Sequence, residues 1–433
     1  MGMWLGGRGL LAPVAPVLAA AVVIGAGPGT AGAAATCVGS AGARSENPGS
    51  GNDVNGAAVV SLCRAEAMGG YPSGTAEQTR TERPNRFSWQ KVSSPSPGLN
   101  YNFLSGAAAT SASNAWAVGS YDSGTGRNAG LIERWNGTSW KQVPSPNPGS
   151  VNNDLFGVAA TSATSAWAVG FYSGSTGANR TLIERWNGKI WKQVPSPNPG
   201  AGVRRLTSVA AISATSAWAV GFYSSGTGVD RTLIARWNGK TWKQVPSPNP
   251  GTARNSLSGV AVTSATNAWA VGGYSNGSTY RTLIVHWNGK VWKQVPSPNS
   301  GSGNNEWSGV AATSAANAWA VGSYDSGDRT LIAHWNGTSW TKMPSPNPGS
   351  SGSGLSGVAA TSTASAWAVG SYFSGTGVSR TLIAHWNGTS WTKVPSPNPG
   401  SSGSGLSAVA ATSAADAWAL GTSGNKTLTL HCC

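Results

Sequence analysis

Charge is scarce in this chain, and so are the residues that most often hold metals. Only 10% of its 433 residues are charged, and it contains four histidines and four cysteines. The cysteines, Cys37, Cys63, Cys432 and Cys433, all lie near the ends, so any disulfides would leave the repeats unlinked. Acidic residues number 14 against 29 basic ones, which leaves little material for a paired-carboxylate site. After residue 35 no apolar run reaches the roughly 18 residues of a membrane-spanning helix. No Walker loop, dinucleotide fingerprint or Ser-His-Asp arrangement stands out.

The first 35 residues read as a cleaved secretion signal. Arg8 supplies a positive start, Leu10 to Ile24 an apolar stretch, and Ala33-Ala34-Ala35 a small-residue cleavage site. Removing Arg8 takes the formal charge from +15 to +14. Residues 36–86 are rich in Gly, Ser and Asn and are expected to be a loosely folded segment carrying Cys37 and Cys63. Four cysteines allow three pairings. The two that cross both terminal cysteines, Cys432 and Cys433, to the N-terminal segment are favoured over pairing Cys37 with Cys63.

What the chain has in abundance is repetition. Ala-Trp-Ala-Val-Gly, with Leu for Val in the last copy, recurs at Trp116, Trp167, Trp218, Trp269, Trp319, Trp367 and Trp418. The period near 50 marks stacked supersecondary units. Within each copy, apolar residues alternate with period two and turn residues interrupt them at fixed places, as in Gly157-Val-Ala-Ala-Thr161, Ala166 to Tyr172, Arg180 to Trp186 and Trp191 to Pro195. Four short strands follow, the last two joined by Asn187-Gly188, a strong hairpin signal. The first strand is nearly all small, as it should be where sheets converge on an axis. These features predict an all-β, seven-bladed β-propeller over residues 87–433. Because the seventh copy ends after its third strand, Phe87 to Val92 is expected to supply its fourth and close the ring, removing an open edge. The Pro-Ser-Pro-Asn-Pro-Gly linkers read as stiff struts between blades.

The order Leu-x-x-Val-Ala, Trp-Ala-Val-Gly, Leu-Ile, Gly-x-x-Trp resembles the tryptophan-rich propeller repeats of the BNR/Asp-box and photosynthesis-assembly type. Gly137-Thr-Ser-Trp140 keeps the glycine and tryptophan of the Asp-box turn but has Trp135 at its aspartate position. Sialidases of that group use an arginine triad, a tyrosine with a glutamate, and an acidic proton donor. None of these roles maps onto this chain.

His286, His334, His385 and His431 share one repeat position, held in other copies by Arg134, Arg185 and Arg236. A ring spreads equivalent positions apart, so these predict strand-surface residues rather than a metal centre. Glu133 and Glu184 are likewise repeat-equivalent. The better candidate site is the face carrying the variable loops between second and third strands. Tyr121, Tyr172, Tyr223, Tyr274, Tyr324 and Tyr372 precede those loops, and Arg180, Arg231, Arg281, Arg329 and Arg380 follow them. Such a ring could stack on sugars and pair with anions, or it could simply clasp each loop. Basic residues are spread one or two per strand, which argues against specific nucleic-acid binding. The resulting expectation is a secreted, monomeric, non-catalytic propeller without cofactor that binds an extracellular glycan or anionic cell-surface polymer. The alternatives are a protein-binding scaffold and a polysaccharide hydrolase or lyase.

Overall fold

The computed structural model describes strands at 37–39, 53–61, 64–73 and 76–85, and then residues 88–432 apart from 125, 176, 350, 376, 399–402 and 424–425. The expected signal segment, Cys63 and Cys433 lie outside the described residues.

The β-propeller of four-stranded antiparallel blades is present, and all seven tryptophan-bearing copies form such blades. The N-terminal segment adds one more. Numbered from the N-terminus, blade 1 is Asp53–Ser61, Arg64–Ser73, Ala76–Asn85 and Ser88–Val92. Blades 2 to 8 begin at Asn102, Asn152, Arg204, Arg254, Glu306, Ser351 and Ser404. The innermost strand of each blade packs on that of the next, and Asp53–Ser61 packs on both Asn102–Ser111 and Ser404–Ser413. The ring is therefore continuous through blade 1.

This arrangement corrects the expected closure. Ser88–Val92 pairs with Ala76–Asn85 as the outer strand of blade 1. The strand that completes blade 8 is Cys37–Gly39, which pairs with Lys426–Cys432. Closure by an N-terminal strand holds; its identity differs because residues 53–92 contain a copy that lacks the central tryptophan. Ala65-Glu66-Ala67-Met68-Gly69 stands where Ala-Trp-Ala-Val-Gly would, with Glu66 at the tryptophan position, 50 residues before Trp116. Its inner strand also carries the same two register shifts, at Val54/Gly56 and Val59/Ser61, as Leu104/Gly106 and Ala109/Ser111 in blade 2.

The register explains the motif. In blade 3 the second strand pairs Ala166 with Trp186, and the third pairs Trp186 with Trp191. Alternation sends Trp167 and Val169 to the face opposite Ala166 and Ala168. In blades 2 to 6 the second-strand tryptophan then enters the two outer tryptophans of the following blade: Trp116 lies 4.9 Å from Trp186 and 5.0 Å, edge on, from Trp191. The same trio recurs at Trp167, Trp218, Trp269 and Trp319. Such aromatic pairs add about 0.5–1.5 kcal/mol each beyond the area they bury. At the last boundary Trp367 meets a different partner, because Cys432 occupies the third-strand tryptophan position and Cys37 faces it at the fourth-strand position.

The motif glycine has a steric cause. At the bulge beside Leu155, a Cβ on Gly170 would overlap the Asp154 carbonyl oxygen, and the equivalent glycines of blades 2 to 8 meet the same obstacle. In the Asn187-Gly188 hairpin, Gly188 takes φ +94° while the Asn187 Oδ1 accepts the N–H groups of Lys189 and Ile190. The linkers are clamped as struts. The Thr181 N–H donates to Asn198 Oδ1 at 2.9 Å, its hydroxyl donates to the Pro197 carbonyl at 2.8 Å, and Asn198 Nδ2 donates to Ser196 O. Thr232, Thr330 and Thr381 repeat the clamp.

Candidate functional site

The loop face is wired together by side chains that reach across blades. Asn153 accepts the Gly149 N–H and donates to the carbonyls of Gly149 and Asn128. Asn255 does the same for Gly251 and Asp230. In blade 4 the position is Arg204, which donates to the carbonyls of Pro199, Asn179, Gly202 and Gly200. Each such side chain ties an incoming linker, the inner strand it feeds and the loop of the preceding blade. The scaffold below the loops is thus rigid.

The candidate tyrosines and arginines come together in pairs rather than as one surface. Tyr172 lies directly opposite Arg180, Tyr223 opposite Arg231, Tyr274 opposite Arg281, Tyr324 opposite Arg329 and Tyr372 opposite Arg380, while Tyr121 faces Ala129. All six tyrosines are partly buried and pack against the apolar layer between blades. Lys342 Nζ sits 4.4 Å from the Tyr324 ring, and Lys393 Nζ sits 4.7 Å from Tyr372. Arg180 and Arg329 are exposed; Arg231, Arg281 and Arg380 are partly covered. The tyrosine positions thus serve packing, with the arginines arrayed outside them.

The histidines are not plain surface residues. His286, His334, His385 and His431 stack on Trp269, Trp319, Trp367 and Trp418 with centroids 3.9–4.1 Å apart. In the other blades Arg134, Arg185 and Arg236 sit 5.1 Å over Trp116, Trp167 and Trp218. A flat, polar group is needed there to cover the indole and meet the turn: His286 Nε2 reaches Asn267 Oδ1 at 2.7 Å, and Arg134 donates to Asn114. Burial pushes the imidazoles of His286, His334 and His385 below the usual range. Among the described residues no group of histidine, cysteine or carboxylate side chains is placed to hold a metal ion.

Glu133 and Glu184 are fully buried at blade boundaries. Each receives one hydroxyl, Ser94 at 2.6 Å and Ser145 at 2.9 Å, and keeps one buried oxygen without a partner. Desolvation pushes both up to about 8, against the smaller opposing effect of the serine hydrogen bond.

One row on the loop face was passed over in reading the sequence. The residue before the inner-strand leucine, or before Trp307 in blade 6, is Phe103, Asp154, Arg205, Ser256, Glu306, Gly354 and Gly405 in blades 2 to 8. The inner-strand residues that follow it are largely repeated, yet this row changes chemistry at each step from blade 2 to blade 7. It pairs with Ser120, Phe171, Phe222, Gly273, Ser323, Ser371 and Thr422 on the second strand. Asp154 is steadied by the Ser120 and Asn128 side chains of blade 2 and lies in the field of Arg205, while burial raises its pKa. Aligning the copies by column, rather than by motif, would have exposed this row.

A scan against protein-family models and a search of curated proteins match nothing. Among solved structures, the chain is similar to YCF48 bound to D1 peptide, at 16% identity and TM-score 0.48, over 77% of this chain and 98% of that one. It is also similar to Sqt1 of Chaetomium thermophilum bound to the N-terminus of the ribosomal protein L10, at 11% identity and TM-score 0.57, over 88% of this chain and 97% of that one. Free Sqt1 gives TM-score 0.53 at 11% identity, covering 89% and 98%. At these identities the similarity is one of fold: a β-propeller.

Proposed function

We propose that this protein is an exported, non-catalytic binding scaffold that holds a segment of a protein partner on its loop face, around the inner rim. The observation that carries this reading is the symmetry break. The tryptophan belt, linkers and clamps are near-copies, while the rim row runs through Phe103, Asp154, Arg205, Ser256 and Glu306. A varied row on a rigid, otherwise repeated ring, beneath loops that also vary, is what a specific, asymmetric ligand requires. Sqt1, a propeller in complex with a peptide terminus, is consistent with such use of the fold. A catalytic reading gains no support from the carboxyls with acid-like pKa, because Glu133 and Glu184 are enclosed between blades.

The glycan or anionic-polymer reading rests on the outer row, where Arg180 and Arg329 are exposed beside their tyrosines. The two readings separate by mutation. Retention of peptide pools, neutral glycans and anionic wall polymers on the secreted protein would be compared across a salt series. Salt-resistant peptide retention that is lost in Ser256→Trp and kept in Tyr223→Ala and Arg231→Ala supports the rim. Loss in the latter two with glycan as the retained ligand overturns it.

For an exported chain we also assign a Cys37–Cys432 disulfide. Its support is the register, which sets the two residues opposite each other in blade 8 at the positions held elsewhere by the paired outer tryptophans. Non-reducing peptide mapping that finds Cys37 bonded to Cys63 instead would overturn the assignment.

A further inference from the structure

We infer that the rim between blades 3 and 4 contains a subsite for a single carboxylate of a polypeptide ligand, with Arg205 as its recognition residue. The inference rests on the rim-binding reading above and names the chemistry of the ligand. Arg205, on the inner strand of blade 4, sits 4.9 Å over the Phe156 ring and 5.0 Å over the Phe171 ring of blade 3. Those rings stack on each other with centroids 5.8 Å apart. Phe156 is itself the extra residue of the bulge between Leu155 and Gly157, which is how a side chain absent from the core pattern reaches the rim. The two phenyl rings cover the guanidinium carbon, and the outer guanidinium nitrogens are the donors left for another group.

Among the described residues no acceptor meets Arg205 within hydrogen-bond distance. The Arg205 Nε is buried without a hydrogen-bond partner, as are Arg185 Nε and Arg236 Nε of the belt, and no ion pair within 4.0 Å involves Arg205 among the described residues. Asp154 is near enough to act electrostatically on Arg205, yet it is engaged by Ser120 and Asn128 of blade 2. A stacked guanidinium carries five donors in a fixed fork, and a carboxylate satisfies two of them at once. Leaving such a group half-buried and unpaired is costly, so its presence is most economically explained by a ligand that completes it.

The surroundings choose among carboxylates. In the rim row of blades 2 to 8 Arg205 is the one cation, with neutral Ser256 on one side, Asp154 beside it on the other, and Glu306 two blades away. A polyuronate or other polyanion would bring repeated negative charges against those acids. A peptide with one Asp, Glu or C-terminal carboxylate among apolar residues would place its charge on Arg205 and its neighbours against Phe156, Phe171 and Phe222. The acids would remain to receive backbone N–H groups or a basic residue of the same segment.

The test uses the full secreted chain and degenerate nonapeptide pools whose central residue is fixed as Glu, Asp, Gln or Lys, with free-acid and amidated C-termini, alongside polygalacturonate. Expected is at least tenfold preference for carboxylate-bearing pools over their amide counterparts. Arg205→Gln should abolish that preference, Arg205→Lys should weaken it, and Lys192→Gln, at an exposed outer-strand position, should leave it intact. Circular dichroism and thermal melts would confirm that each variant folds. Equal retention of acid and amide pools, an unchanged preference in Arg205→Gln, or stronger Arg205-dependent binding of polygalacturonate would each overturn the inference. Should the acid preference survive Arg205→Gln while retention vanishes in Ser256→Trp, the rim reading stands and the carboxylate subsite falls. If no pool is retained by the parent chain, both fall.

Discussion

The tryptophan belt and the inner rim are built from the same repeats, yet from blade 2 to blade 6 one repeats its contacts and the other changes side chain at every step. In the belt, Trp116, Trp167, Trp218, Trp269 and Trp319 each meet two tryptophans of the next blade at centroid distances of 4.8–5.1 Å. On the rim, the corresponding blades offer phenyl, carboxylate, guanidinium, hydroxyl and carboxylate in turn. Identical contacts close a ring because each boundary must span the same wedge. Distinct contacts serve a ligand that lacks the ring's symmetry. In a repeat protein, then, agreement among copies marks stability and disagreement marks recognition.

Breaking the belt should have the largest effect. Trp218→Ala empties a fully buried site between blades 4 and 5 and is expected to cost about 3–5 kcal/mol, read from denaturant midpoints. Arg205→Gln should cost far less stability by the same measurement. If both lose equally, the division between belt and rim does not hold.

The next prediction concerns two places where the belt itself is irregular. Glu133 and Glu184 stand where other blades have Ala235, Val285, Ala333, Ala384 and Leu430. Their folded pKa of about 8 lies above the ordinary 4.5, so the folded state holds its protons more tightly than the unfolded state. Their contribution is therefore fully present below pH 4.5, declines as pH rises, and is gone above about 8. Stability should fall by on the order of a few kcal/mol between pH 5 and 8. Glu133→Gln combined with Glu184→Gln should flatten that slope. An unchanged slope would mean that both carboxyls ionise without penalty.

Smaller effects lie outside the belt. Thr232→Val removes the hydroxyl that clamps the blade 4 linker, including its 3.1 Å bond to the Pro248 carbonyl. It should cost about 1 kcal/mol, measurable as a modest fall in melting temperature. Arg231→Ala, on the outer row, should change stability by less than about 0.5 kcal/mol. A larger loss would show that Arg231 is part of the clasp that holds Tyr223.

Much of the architecture was legible because it depends on local chemistry. Period-two alternation, Asn-Gly turns and proline-rich linkers mark four strands per copy wherever they occur. The signal failed at residues 53–92, where Glu66 replaces the tryptophan and Met68 replaces the valine, although Gly69 and the register shifts are retained. The glycine was the better guide there. It is demanded by a backbone oxygen in the same blade, whereas a tryptophan is demanded only by the neighbouring blade.

The rim was less legible for a related reason. Phe156 and Arg205 are 49 residues apart and belong to different blades, so no local pattern joins them. Tyr223 and Arg231, only eight residues apart, were easy to group because a hairpin places them opposite each other.

The amino-acid sequence by itself determined the blade, its strand count and its outward-growing side chains, since these follow from alternation, turn propensity and contacts a few residues apart. Only the tertiary structure decided how many blades share the ring, that Cys37–Gly39 closes it, and that an unpaired guanidinium meets two phenyl rings at the rim. Those outcomes depend on the angle at which successive sheets pack and on contacts across blade boundaries, where the energy belongs to the assembled ring and to no single repeat.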